Sequence, residues 1–214
     1  MKQIAWTFVI WSLLFQCLNE AAASPMAELS LQSQPGDQVG QGQTKDLIYT
    51  PTNSQFFSAQ ILPFLNVGGQ PAFLRFLMGT STGDLTTNTS SSLDFATNQL
   101  NIPMQSGHFA DAERASFASP GHPGLDVSFQ SSGCNTVTGN FTVNTVSFFR
   151  DSNNEQQIGS FDANFEQHCD GATPALFGRF VYQVASVPEP SSWFLVGSCL
   201  TVLTAVAWRQ RHRK

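Results

Sequence analysis

Hydrophobic and polar positions alternate most clearly late in the chain. From Thr136 to Val143 the alternation places Val137, Phe141 and Val143 on one face of a strand. The parity then slips, because Val146 and Phe148 fall on the other phase, and a β-bulge near Asn144-Thr145 absorbs the slip. Arg150 to Gln157 is polar throughout and reads as a turn. Ile158 to Glu166 alternates again, with Phe161, Ala163 and Phe165 on one side and Asp162, Asn164 and Glu166 on the other. These two runs predict a hairpin. A last strand spans about Leu176 to Val184, with Leu176, Phe180, Tyr182 and Val184 sharing a face. Weaker strands fall at Leu29–Gln32, Asp46–Thr50 and Phe56–Leu62. Phe73 to Met78 is a short apolar run, helix or buried strand, which periodicity does not decide. Gly79 to Ser92, rich in Thr, Ser and Asn, reads as an exposed loop.

Two apolar runs lie outside this pattern. Near the N-terminus, Lys2 precedes an apolar run from Ile4 to Phe15, and Ala21-Ala22-Ala23 follows. A short apolar stretch ending in small residues describes a secretory signal peptide cut between Ala23 and Ser24. Its partners are the Sec translocon and signal peptidase. Gln16 before Cys17 does not suit a lipidation site. At the other end, Val187-Pro188-Glu189-Pro190 precedes an apolar run of sixteen residues, Trp193 to Trp208, and then Arg209, Arg211, Arg213 and Lys214. A helix of that length spans about 24 Å, slightly short of a hydrocarbon core of about 30 Å. The basic cluster acts as a membrane stop on the cytoplasmic side. The expected organisation is therefore a signal peptide at 1–23, an exported domain at 24–187 and a C-terminal signal with a transmembrane helix at 188–214.

That division changes the meaning of the composition. Only 12% of the 214 residues are charged and the net charge is −5, against about 25% charged in an average domain. Residues 24–187 carry thirteen acidic and five basic side chains, or −8, while the tail carries +3. Nothing in this balance serves a nucleic acid. The middle segment holds sixteen of the nineteen phenylalanines and no tryptophan, and 59 of its 164 residues are Ser, Thr, Asn or Gln. Many Phe, much Ser/Thr and frequent turn residues predict an all-β extracellular domain.

The Pro-Glu-Pro, apolar helix and basic end occur in fixed order, and Val187–Lys214 resembles the PEP-CTERM sorting signal of Gram-negative bacteria. The resemblance implies that this chain is a substrate of an exosortase, a membrane-embedded transpeptidase-like enzyme. It implies passage across the inner membrane, transient anchoring there, and delivery to the cell surface or an exopolysaccharide matrix. The residues concerned are Pro188, Glu189 and Pro190. Two prolines keep the backbone extended and stop helix from propagating upward from the membrane.

Within the exported domain only Cys134 and Cys169 remain. In an oxidising compartment they read as one disulfide closing a loop of about 36 residues, with a stabilisation of about 3–4 kcal/mol. The rival is a metal site of Cys134, His168 and Cys169. Adjacent residues on a strand point to opposite faces, so His168 and Cys169 make poor co-ligands. Asp151, Asn153 and Glu155 alternate like the start of a calcium loop but lack the other ligands, and read as a solvated turn. Asp162 and Glu166 are the one foothold for glycoside hydrolysis, and alternate carboxylates on an outer strand face are commoner as solvation. His108 and His122 read as loop histidines without partners. Asn88-Thr89-Ser90 and Asn140-Phe141-Thr142 match the glycosylation sequon as chance. Gly36 to Gly42 lacks the Gly-Lys-Ser/Thr of a phosphate loop. No motif asks for a cofactor or a resident metal, and no enzyme activity is expected.

A second resemblance covers most of the domain. Phe161-Asp162-Ala163-Asn164-Phe165-Glu166-Gln167-His168-Cys169-Asp170-Gly171, followed by Pro174-Ala175-Leu176-Phe177-Gly178, is similar to a stretch found in uncharacterised exported bacterial proteins. Pro123–Val127 and Gly133–Val143 resemble its upstream half, and Pro35-Gly36-Asp37 with Gly40-Gln41-Gly42-Gln43 its start. It implies a β-sandwich-like fold with paired cysteines and no transferable activity. The expected role is a structural or interaction protein of exopolysaccharide or biofilm. A carbohydrate-binding module is the alternative, and a polysaccharide-active enzyme the third reading.

Overall fold

The computed structural model describes residues 24–84 and 86–184. The signal peptide, Pro188-Glu189-Pro190, the apolar run and the basic cluster lie outside the described residues. Ser24, on the far side of the expected cut, is exposed and leads directly into the first strand. Among the described residues no helix is long and apolar enough to cross a membrane.

Ten strands form one sheet: β1 (Pro25–Ser33), β2 (Thr44–Tyr49), β3 (Phe56–Ile61), β4 (Phe73–Gly79), β5 (Ser91–Ala96), β6 (Gly107–Arg114), β7 (Gly124–Phe129), β8 (Val137–Arg150), β9 (Gln156–Cys169) and β10 (Ala175–Val184). Their order is β2-β1-β10-β9-β8-β6-β7-β5-β4-β3. Every neighbour is antiparallel except β6 and β7, which run parallel over two residue pairs, Glu113 with Gly124 and Arg114 with Leu125. The all-β expectation holds. The sheet is continuous and nearly closed, with its apolar side turned inward.

Phenylalanine fills that interior. Phe76 on β4 meets Phe180 on β10 with ring centroids 4.7 Å apart, and Phe95 on β5 meets Phe161 on β9 at 4.9 Å. Both are fully buried, as are Phe141, Phe161 and Phe180. Two halves of the sheet, β2-β1-β10-β9-β8 and β7-β5-β4-β3, therefore face each other across stacked rings. Rings pack this way because each buries a large area and tilted contacts match their quadrupoles. Tyr49 closes one side: its hydroxyl donates to the Thr89 carbonyl and meets Ser91 Oγ, each at 2.8 Å. Burial pushes its phenol up to about 12.

The predicted hairpin is β8–β9, and the register shifts between Val143 and Thr145 where the parity slip demands a bulge. The ambiguous run 73–78 is strand β4, buried on both faces near its start, which explains the lack of alternation. Gly79–Ser92 needs correction. Ser91 and Ser92 belong to β5, and Asn88 and Ser91 are buried. Asn88 Oδ1 accepts from the Ser90 N–H and hydroxyl, so a polar-looking segment folds back on its own side chain.

β1 and β10 are paired along their whole length, from Pro25 opposite Val184 to Ser33 opposite Leu176. The described segment thus begins and ends at the same end of the sheet.

Candidate functional site

The three stretches of the second resemblance converge at the opposite end, around the disulfide. Cys134 and Cys169 are bonded, as the sequence reading expects. Beside them Gln167 is fully buried. Its Oε1 accepts from the Val127 N–H and its Nε2 donates to the Val127 carbonyl, both at 2.8 Å, with Cys134 Sγ 3.3 Å from Nε2. A side-chain amide on β9 thereby pairs with the backbone of β7 in the facing half of the sheet. Burying this amide is tolerated because both of its ends are satisfied.

The early loop locks into the same end. Gln34 exchanges hydrogen bonds with Ala175, N–H to carbonyl at 2.9 Å and Oε1 from the Ala175 N–H at 2.9 Å. Asp37 is buried and accepts from the Gly40 N–H at 2.7 Å and the Ser33 hydroxyl at 2.8 Å. Gln38 Nε2 reaches the Gly133 carbonyl at 2.8 Å. Asp170, in the left-handed region at φ 53°, accepts from the Thr136 N–H at 2.7 Å. That backbone hydrogen bond holds its carboxyl below the usual range. Pro35–Gln43, Gly133–Thr138 and Gln167–Leu176 thus assemble one end of the sheet.

The candidate catalytic carboxylates each take other partners. Asp162 receives Arg179 through Nε at 3.0 Å and Nη2 at 2.8 Å, and Asn144 Nδ2 at 3.0 Å. The Arg179 hydrogen bond lowers its pKa. Glu166 is held by Asn140 Nδ2 at 3.2 Å and His168 Nε2 at 3.0 Å. Both sit on the outer face of β9, as predicted: Asp162 is held by partners on β8 and β10, and Glu166 by Asn140 on β8 and by His168 on β9 itself. His168 Nδ1 also bonds the Thr173 carbonyl, and the imidazole lies on the face opposite Cys169. The Asp151 carboxylate is used by its own turn, accepting from the N–H groups of Asn153 and Glu155 and from Gln157 Nε2. His108 and His122 do have partners, in correction of the sequence reading. His108 lies on β6 with Nδ1 2.9 Å from Thr142 Oγ1, and His122 Nδ1 is 2.9 Å from the Asp111 carbonyl oxygen. Of the sequon asparagines, Asn88 is buried and Asn140 is engaged with Glu166.

Sequence reasoning missed a groove on the outer face of the β2-β1-β10-β9 half. It has a volume of about 460 Å³ and is lined by Ser30, Gln32, Thr44, Asp46, Asn164, Phe177 and Arg179, together with Leu31, Phe165 and Gly178. Pairing register builds it. Asp46, Ser30, Arg179 and Asn164 form one row across four strands, and Thr44, Gln32, Phe177 and Glu166 form the next. Ser30 is short and Arg179 leans toward Asp162, which leaves the hollow. Gly178 matters from the inner side. A Cβ there would strike the Phe165 ring, so glycine alone lets β10 lie against β9 at this point. No signal in the one-dimensional pattern marks these residues, because they come from segments up to 149 residues apart (Ser30 to Arg179) and share a face only once the register is known.

Comparison of the chain with known protein families, with curated proteins and with solved structures found no match.

Proposed function

We propose that this chain is an exported, non-catalytic protein that an exosortase sorts through its C-terminus, and that its β domain is a sandwich-like structural or interaction module of the cell surface or extracellular matrix. The observation that carries the reading is the order of features in Val187–Lys214: Pro188-Glu189-Pro190, then an apolar run, then four basic residues. The Cys134–Cys169 bond supports export, because such bonds persist in oxidising compartments. The engaged carboxylates on β9 favour a scaffold over a hydrolase. The tail provides membrane anchorage until processing, and the domain stands outside with its negative charge and its Ser/Thr/Asn/Gln-rich surface.

The test is Pro188→Ala combined with Glu189→Ala in the producing bacterium, followed by membrane fractionation and mass analysis of the C-terminus. The expected result is a full-length protein retained in the membrane with its tail intact. Unchanged processing and unchanged location in that variant would overturn the sorting assignment.

A further inference from the structure

We infer that the groove over Ser30 binds a segment of an uncharged polysaccharide, an assignment that rests on the extracellular-matrix reading above and adds the partner's chemistry to it. The outer face of this half-sheet divides into two kinds of polar side chain. Along β8, β9 and β10 they satisfy one another: Asn144 and Arg179 hold Asp162, while Asn140 and His168 hold Glu166. Across the groove they do not. Among the described residues, the side chains of Ser30, Gln32, Thr44, Asp46 and Asn164 take no protein hydrogen-bond partner.

Those five groups are two hydroxyls, two amides and one carboxylate, all directed at one hollow from neighbouring strands. Amides and hydroxyls both donate and accept, and a carboxylate accepts twice, which is the complement of a chain of vicinal hydroxyls. Phe177 supplies the remaining element. It is 36% exposed on the same face, in a row with Gln32 and Thr44. An exposed ring beside hydrogen-bonding groups suits the apolar C–H face of a sugar ring, which needs contact area without charge. The groove lies on an open sheet face, so a polymer can run across it.

Charge selects among polymers. Arg179 is already neutralised by Asp162, and Asp46 stands without a counter-charge, on a domain that carries −8. A uronate or sulfated polymer would meet repulsion here, while a neutral one would not.

The experiment is affinity electrophoresis of the purified full chain in mild detergent. The gels contain dextran, glucomannan, mixed-linkage β-glucan or the exopolysaccharide of the producing cells, with alginate as the anionic control. Retardation by at least one uncharged polymer and none by alginate is expected. Phe177→Ala and Asn164→Ala should each weaken it by about tenfold, Phe177→Trp should keep it, and Phe117→Ala, in the exposed turn Ala115–Phe117 packed over β7, should leave it unchanged. Thermal unfolding of each variant verifies the fold, and Asn164→Ala decides the matter should Phe177→Ala unfold early. Absence of retardation in every uncharged polymer, equal retardation of folded Phe177→Ala and Asn164→Ala, or preference for alginate would each overturn the assignment. Failure here leaves the sorting reading standing, because that reading is judged by location and tail mass, and success here does not require it.

Discussion

Two arginine–aspartate pairs with the same chemistry sit on the outer faces of the two halves of the sheet. On β4 and β5, Arg75 grips Asp94 through Nε at 2.8 Å and Nη2 at 2.6 Å. On β10 and β9, Arg179 grips Asp162 through the same two nitrogens at 3.0 and 2.8 Å. Their surroundings differ. Asp94 lies directly opposite Asp126 on β7, which is itself held by Arg114 at 2.9 Å, and the turn Ala115–Phe117 packs over β7 beside them. A Cβ on Gly124 would fall 2.7 Å from the Ala115 Cα, which shows how closely that turn is seated. Asp94 is left 6% exposed and Asp162 17%, while Arg75 is 32% exposed and Arg179 57%. The consequence is a reversal of sign. Burial pushes the Asp94 carboxyl up despite Arg75, whereas the Arg179 hydrogen bond pulls the Asp162 carboxyl down. Identical partners do opposite things because desolvation wins in one place and loses in the other.

The largest effect should come from breaking the buried pair on one side. Arg75→Ala strips Asp94 of its counter-charge while β7 and the Ala115 turn still exclude water, and it should cost about 3 kcal/mol of unfolding free energy in a urea titration. Arg75→Met with Asp94→Leu should recover most of that loss, since it removes both charges and keeps the volume. A double variant no more stable than Arg75→Ala would show that the pair contributes net attraction, not merely relief from an uncovered charge.

Acid titration sharpens the contrast. Asp94 has a folded pKa above its ordinary 3.8, so the folded state holds a proton that the unfolded state has released. Its contribution is greatest below 3.8 and declines as pH rises through the folded value. Asp162 has a folded pKa below 3.8. Its contribution is present above 3.8 and disappears as pH falls toward the folded value. Urea midpoints measured from about pH 2 to about pH 7 should lose the acid-side fall in Asp162→Asn and the decline with rising pH above 3.8 in Asp94→Asn. Variants whose profiles keep the parent shape would reject the assignment.

The two halves also differ in how much the amino-acid pattern reveals. β8, β9 and β10 are long, alternate cleanly and bury Phe161, Phe165 and Phe180 on one parity, so the hairpin, its bulge and the outward carboxylates are all readable. β5 is hidden because Ser91 is buried and Asp94 sits among buried neighbours, so its first two residues, Ser91 and Ser92, look like the end of a Ser/Thr loop and the rest shows no alternation. β6 is hidden because its register shifts between Phe109 and Ala112, where Asp111 adopts φ 55°, and no period survives the kink. β7 is short, six residues from Gly124, and begins on a glycine, so little of its pattern stands out. The disulfide is legible by counting cysteines. The groove is not, because Thr44, Ser30, Phe177 and Asn164 become neighbours only through pairing between distant segments.

The smallest effect belongs to the exposed pair. In Arg179→Ala the Asp162 carboxylate keeps Asn144 at 3.0 Å and gains water, since the guanidinium it loses was largely solvent-facing. Double-mutant cycles on such surface pairs find below about 1 kcal/mol, so the urea midpoint should barely move and should move less still in high salt. The position also differs in register. Arg75 stands directly across from Asp94, whereas Arg179 stands across from Asn164 and reaches Asp162 on the diagonal, two residues away. A diagonal contact orders a long side chain for little return, which offsets part of its attraction. A loss in Arg179→Ala as large as that in Arg75→Ala would mean that ion-pair geometry, and not burial, sets the energetics of both faces.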